Sequence, residues 1–269
     1  MNRLLSLILG VLVSALSVSS GQLIVAHRGA SHDAPENTMA AFHLAWEQGA
    51  DAIEGDFYLS KDGEIVCVHD EDLKRVAGND AKVVDLTLEE LRRLDVGSWK
   101  DQRFASERIP TLQEVLATVK EGKQIFVEVK CGAEIVPTLT KVIKSSSLKD
   151  EQIAIISFNE AVVQGCIQAM PTLTVNWLTG FKQDKLTKSW SPSHEDLLAG
   201  LKRTKASGLG CKAERVMVDE ALVKALRAAK VGFHCWTVDD VGMAKYLLGL
   251  GVDSITTNRP GWLRSELAK

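Results

Sequence analysis

Leu23-Ile24-Val25-Ala26-His27-Arg28-Gly29-Ala30-Ser31-His32-Asp33-Ala34-Pro35-Glu36-Asn37 is the stretch on which the reading of the fold turns. Leu23 to Ala26 is an apolar run of the length of a buried strand. It ends in a titratable group, a fixed cation and a residue without a Cβ. A loop closed by Pro35 follows, and then Asn37 or Thr38, both good N-cap types, opens a helical pattern. A strand whose C-terminal end carries His and Arg, followed by a helix, is how an α/β enzyme presents its chemistry. Taken alone, the stretch is also compatible with a strand end bearing a solvated His and Arg.

The same alternation repeats outward from it. Strand-like runs fall at 23–26, 52–59, 124–130, 153–157, 173–178, 208–211, 233–238 and 254–257. Helical patterns lie between them at 38–48, 111–120, 134–145, 160–169, 194–204, 220–229 and 241–248, with a closing one at 262–267. Thr111-Leu112-Gln113-Glu114 reads as a capping box, and Gly49, Gly232 and Gly251 stand where C′ glycines stand. A ninth strand-like run, 64–69, follows the second after only Ser60-Lys61-Asp62-Gly63. A parallel crossover needs a dozen residues or more, so this run forms an antiparallel hairpin and begins an insertion of about 60–109. Eight β→α units remain, the number that closes a (β/α)8, or TIM, barrel. The insertion carries a short helix behind the capping box at Thr87 and Glu90, reads otherwise as polar and irregular, and suits a lid or subdomain over the site. The polar loop 179–193, with Lys182, Lys185, Lys188 and Trp190, either flanks the entrance or is plain surface.

Composition narrows the classes. The chain has 269 residues and a formal charge of −3, with no Lys/Arg tract, which speaks against nucleic acid as a partner. Residues 1–21 read as a secretory signal: a short positive start, an apolar run too short to span a bilayer, and small residues at 19–21. An uncleaved N-terminal anchor is the other reading. The expected protein is thus periplasmic or secreted, with residues 22–269 as one domain and no stable membrane insertion after cleavage. Its five cysteines are scattered and odd in number, which fits neither a disulfide framework nor zinc.

On a strand, residues two apart share a face. Glu54 and Asp56 are two apart in the second run, and Glu128 and Lys130 at the end of the third. Three inward carboxylates on neighbouring strands make an all-oxygen pocket suited to Mg²⁺ or Ca²⁺. Alternatively, Lys130 and Arg28 neutralise the acids as an ion-pair cluster. His27 and His69 each end a strand beside this pocket and suit a pair in which one takes a proton and one gives one. His234, two residues before Trp236, reads as packing or as support behind the site.

His27-Arg28-Gly29, Pro35-Glu36-Asn37-Thr38, Glu54-Gly55-Asp56, Val68-His69-Asp70 and Ile109-Pro110-Thr111-Leu112 resemble the glycerophosphodiester phosphodiesterase family. So do Glu128-Val129-Lys130, Ser157-Phe158, Trp236-Thr237-Val238 and the run from Gly251 to Pro260. The resemblance covers nearly everything from 23 to 260, in the family's order. It implies a TIM barrel with a small insertion after the second strand. It also implies one divalent cation held by Glu54, Asp56 and Glu128, and a catalytic pair at His27 and His69. Arg28 and Lys130 would then neutralise phosphoryl oxygens, and Trp236 would pack against glycerol or a lid residue, or serve the core. In the family's chemistry a neighbouring substrate hydroxyl attacks phosphorus, and water then opens the cyclic phosphate. There are departures: the family commonly has Asp where Asn258 stands and Asn where Asp239 stands, and Cys131-Gly132 follows Lys130 where a longer polar stretch is usual, all expected to bear on substrate detail. The expected activity is hydrolysis of a small-molecule glycerophosphodiester to glycerol 3-phosphate and an alcohol. Its rivals are a phospholipase D-like lyase on intact phospholipid and a non-catalytic phosphate-ligand binder.

Overall fold

A computed structural model describes residues 21–269; apart from Gly21, the expected signal segment lies outside the described residues. Eight parallel strands close a barrel: β1 (Leu23–Ala26), β2 (Ala52–Leu59), β3 (Gln124–Val129), β4 (Ile153–Ser157), β5 (Thr174–Thr179), β6 (Gly208–Lys212), β7 (Gly232–Trp236) and β8 (Ser254–Thr257). Each pairs with its sequence neighbours, and β8 returns to β1 with Leu23 opposite Ser254. The helices that follow are α1 (Met39–Glu47), α2 (Leu112–Leu116), α3 (Val136–Ser145), α4 (Glu160–Ala169), α5 (His194–Thr204), α6 (Glu220–Ala228), α7 (Val241–Leu250) and α8 (Pro260–Leu267). The main core lies between strands and helices, where Ile24, Phe42, Ile53, Ile125, Ile155 and Phe233 are fully enclosed or nearly so. Among the described residues no helix is long and apolar enough to cross a membrane.

The sequence signals act where expected, with local exceptions. Thr38 caps α1, accepting from Ala41 N, and Thr111 and Glu114 form the capping box of α2. That box closes two of the orphan amides every helix start leaves open. α2 is shorter than expected, stopping at Leu116. Pro260 sits at the first position of α8, where its missing N–H costs nothing, so that helix begins two residues early. Gly232 is not a helix stop but the first residue of β7; Lys230, at φ +57°, makes the turn out of α6.

The hairpin also forms: Ile65–Cys67 runs antiparallel to β2, with Phe57 opposite Cys67. The rest of the insertion is not irregular. Val66, Val68, Leu73, Val76, Val83, Leu91, Val96 and Ile109 make a second small core, and Asp72–Leu73 pairs with Asn79–Lys82. Between those strands lies the short helix Lys74–Ala77, ended by Gly78 in the left-handed region. The loop after β5 folds as well, as a small hairpin of Lys182–Gln183 with Trp190–Ser191.

Candidate active site

The C-terminal ends of β1, β2, β3 and the hairpin strand converge on one cavity of about 300 Å³. Its wall includes His27, Arg28, Glu54, His69, Glu128, Lys130 and Trp236, so seven of the eight residues singled out in the sequence face it together. The eighth, Asp56, lies directly opposite Glu128 in register and is fully enclosed.

The turn after β1 is shaped for this. Arg28 and Gly29 both have positive φ, and a Cβ on Gly29 would lie 2.5 Å from the Ala41 carbonyl carbon, so only glycine lets α1 approach. The bend aims the Arg28 amide at Glu54 Oε2, 2.8 Å away. Asn37, also at positive φ, is not the helix cap: its Nδ2 donates to Asp56 Oδ2 at 2.8 Å and its Oδ1 accepts from the Asp56 amide.

One oxygen from each of Glu54, Asp56 and Glu128 lies within 4.8 Å of the others. Lys130 Nζ reaches Glu128 at 2.8 Å and Asp56 at 3.4 Å, and Arg28 Nε lies 3.2 Å from Asp56. The ion-pair cluster therefore exists, but two cations face three acids and neither side chain pairs with Glu54. Burial, then Asp56 and Glu128, push the Glu54 carboxyl well above its usual range, and its Oε1 is enclosed without a hydrogen-bond partner. Burial and Asp56 likewise push Glu128 up to about 7. Asp56 is the exception: burial pulls it up, but Arg28 and Lys130 outweigh this and hold it below the ordinary carboxylate range. An orphaned oxygen in an all-carboxylate cluster, two of whose carboxyls are pushed up by burial and by each other's charge, fits a hard divalent cation.

The two histidines are supported differently. His69 Nδ1 lies 2.6 Å from Asp70 Oδ1. Asp70 is drawn up by partial burial and, more strongly, held down by its hydrogen bonds with Arg75 and His69. His27 Nδ1 lies 2.7 Å from Asn258 Oδ1, which also accepts from Ser31 Oγ. Asn258 Nδ2 donates to Asp239 Oδ2 at 2.5 Å, and the Asn258 amide donates to Asp239 Oδ1. Since Asp239 can only accept, the Asn258 amide orientation is fixed, and His27 must donate from Nδ1. Burial, then Arg28, lower the His27 pKa below its ordinary 6.5.

Positions 239 and 258, the two at which the resemblance leads one to expect Asn and Asp, touch each other behind His27, and neither lines the cavity. Trp236 meets Phe158 edge-to-face at 5.5 Å, forming the apolar wall. His234 is packing, as expected: its ring meets Phe126 at 5.6 Å and Nδ1 lies 2.8 Å from Ser254 Oγ. Sequence reasoning read Asn37 only as a possible helix cap and gave no role in the site to Asp70 and Arg75. Asp70 was visible beside His69, whereas Arg75 had no signal of its own.

A buried carboxylate cluster ringed by cations and two histidines, at the C-terminal mouth of a (β/α)8 barrel, has the make-up of a barrel-enzyme site for an anionic substrate. A profile of the glycerophosphoryl diester phosphodiesterase family matches residues 27–262. The chain is 35% identical over 252 residues to a glycerophosphodiester phosphodiesterase of Caldanaerobacter subterraneus subsp. tengcongensis, an alignment covering 92% of this chain and 98% of the relative. Among solved structures it resembles an Oleispira antarctica phosphodiesterase in complex with the product sn-glycerol-3-phosphate, at TM-score 0.81 and 28% identity, covering 92% and 97% of the two chains. A Thermotoga maritima glycerophosphodiester phosphodiesterase superposes at TM-score 0.72 with 25% identity, covering 91% and 98%. The chain belongs to the glycerophosphoryl diester phosphodiesterase family and is an enzyme of that activity, a phosphoric diester hydrolase.

Proposed function

We propose that this enzyme splits glycerophosphodiesters into glycerol 3-phosphate and an alcohol with one divalent cation and two histidines, His27 as general base and His69 as general acid. The observation that carries the reading is the shared cavity: both rings line it with Glu54 and Glu128. Glu54, Asp56 and Glu128 would hold the cation, Mg²⁺ or Ca²⁺, which when bound supplies positive charge against the phosphoryl oxygens. Arg28 and Lys130 add to that field.

The division of labour follows from the partners. His27 carries its proton on Nδ1 and burial keeps the ring neutral, so Nε2 is free to take the proton of the substrate's neighbouring hydroxyl as it attacks phosphorus. His69 is held by Nδ1 against the Asp70 carboxylate, which orients the ring, and we assign it the other duty, giving a proton to the departing alcohol. Water then opens the cyclic phosphate with the two roles reversed. The product held by the Oleispira relative supports glycerol 3-phosphate as the retained half. Beyond His69 and Lys130 an open groove is lined by Tyr58, Asp70, Glu71 and Asp72, walls that suit a hydrated alcohol better than acyl chains.

Turnover of glycerophosphocholine by dialysed protein, with and without EDTA, tests the reading. Activity is expected to vanish with the ion and return with Mg²⁺ or Ca²⁺, and Tm to fall without it, because an ion bound only to the native state stabilises it. Full turnover in excess EDTA refutes metal dependence. We also propose that the enzyme is periplasmic or secreted, on the strength of the apolar run at 4–18. A native N-terminus near Gly21 supports this, and an intact Met1 in the membrane fraction refutes it.

A further inference from the structure

Behind the cavity wall, three charged side chains, Glu36, Arg75 and Asp70, join Arg28 to His69. Arg28 Nη1 donates to Glu36 Oε1 at 2.9 Å. Arg75 grips the same Glu36 carboxylate with both ends of its fork, Nη1 to Oε2 at 2.9 Å and Nη2 to Oε1 at 2.8 Å. Its Nε donates to Asp70 Oδ2 at 2.7 Å, and Asp70 Oδ1 meets His69 Nδ1. Glu36 comes from the loop after β1 and Asp70 from the end of the hairpin, and Arg75 hydrogen-bonds to both. Arg75 lies on the short helix Lys74–Ala77, whose Val76 is buried in the insertion's own core.

We infer that Arg75 is a positioning residue: from the insertion, its guanidinium fixes Asp70, and through it His69, in one frame with Glu36 and Arg28. The inference rests on the proposed role of His69 as general acid. Three observations support it. The planar fork uses three nitrogens on two carboxylates, a geometry no lysine reproduces. Arg75 is 42% exposed, and exposed ion pairs add little to stability, so the pairs are not there chiefly to hold the fold. The two groups it fixes are a cation that would bind phosphate and a ring that would move a proton, where a displacement of about 1 Å can cost roughly 100-fold in rate. This gives the insertion a defined part in the site: its small core carries a clamp.

The test uses the purified full chain with Arg75→Ala, Arg75→Lys, Asp70→Asn and His69→Ala, assayed on glycerophosphocholine. Arg75→Ala and Arg75→Lys are both expected to lower kcat by about 10- to 100-fold, with Tm within a few degrees of the parent. Millimolar guanidinium should restore part of the Arg75→Ala activity while leaving Arg75→Lys and the parent unchanged. Combining Arg75→Ala with Asp70→Asn should cost little more than Asp70→Asn alone, because both cut the same support. With a nitrophenyl leaving group, which needs no proton, the Arg75→Ala defect should shrink. Parental kcat in Arg75→Ala overturns the inference. So does a loss that Arg75→Lys fully recovers, since charge alone would then suffice. Should Arg75→Ala fail to fold, Arg75→Lys decides by the same kcat criterion. If His69→Ala keeps parental turnover, the acid–base reading itself fails, whatever Arg75 does.

Discussion

His27 and His69 enter the same cavity on unlike supports. His69 leans on the carboxylate of its own neighbour, Asp70, which Arg75 holds from the insertion. His27 leans on a neutral amide, and the carboxylate behind that amide, Asp239, stands one hydrogen bond further away. Charge placed against a ring stabilises its cation far better than charge one residue removed, because the Coulomb energy falls with distance and with intervening dielectric. On the proposed mechanism, what touches Nδ1 would be enough to give two identical side chains opposite duties in proton transfer.

Removing the rings is the harshest way to break the comparison. His27→Ala and His69→Ala are each expected to lower kcat by about two to four orders of magnitude, the usual worth of a positioned acid or base. Both should keep ion content, which dialysis and metal analysis would check, whereas Glu54→Ala should lose ion and rate together. A glycerol phosphodiester with a nitrophenol leaving group should rescue His69→Ala and not His27→Ala. The reverse pattern would exchange the two assignments.

Most of the barrel, and the eight residues that it brings together, could be read from the chain. The reason is physical: apolar runs of four to eight residues leave few alternatives, and a carboxylate such as Glu54 or Glu128 inside such a run has to be explained. The insertion's core was only partly legible: the strand with Val66 and the helix with Leu91 could be read, but Val96 and Ile109 stand singly among polar residues, with no period to join them to it. Arg75 was not legible. It meets Glu36 across 39 residues, a contact created only when the insertion folds back over β1. The pair at 239 and 258 was visible as two separate departures. That they touch depends on β7 and β8 lying side by side in the closed barrel.

The supports themselves give the next effect. Asp70→Asn removes the charge against His69 and should cost about 10- to 100-fold in kcat. Asn258→Ala removes only a neutral acceptor and should cost less, about tenfold, chiefly by freeing the His27 ring to rotate. The pH profile separates the two. His27 must be neutral to accept a proton, and burial and Arg28 lower its pKa, so the acid limb of kcat/KM should lie below pH 6.5. Asp70→Asn should leave that limb in place. An acid limb above 6.5 in the parent would contradict a buried, amide-supported base.

The mildest and most informative intervention is to exchange the two residues at 239 and 258. Asn258→Asp alone sets two carboxylates against each other, since the 2.5 Å contact to Asp239 loses its N–H. One of the pair must then take up a proton or move away, and the lost donor should cost about 1–3 kcal/mol, read as a lower Tm. Adding Asp239→Asn restores a donor to that contact and should recover the Tm, so the two changes should be strongly non-additive. In the double variant the charge stands directly against His27 Nδ1. An adjacent anion favours the imidazolium, so the acid limb should move to higher pH than in the parent while kcat on the plateau stays within about threefold. The shift is the decisive reading. If the double variant folds and turns over like the parent with an unmoved acid limb, the distance of the carboxylate from His27 does not set its protonation. The division between the two histidines would then have to rest on where each ring meets the substrate.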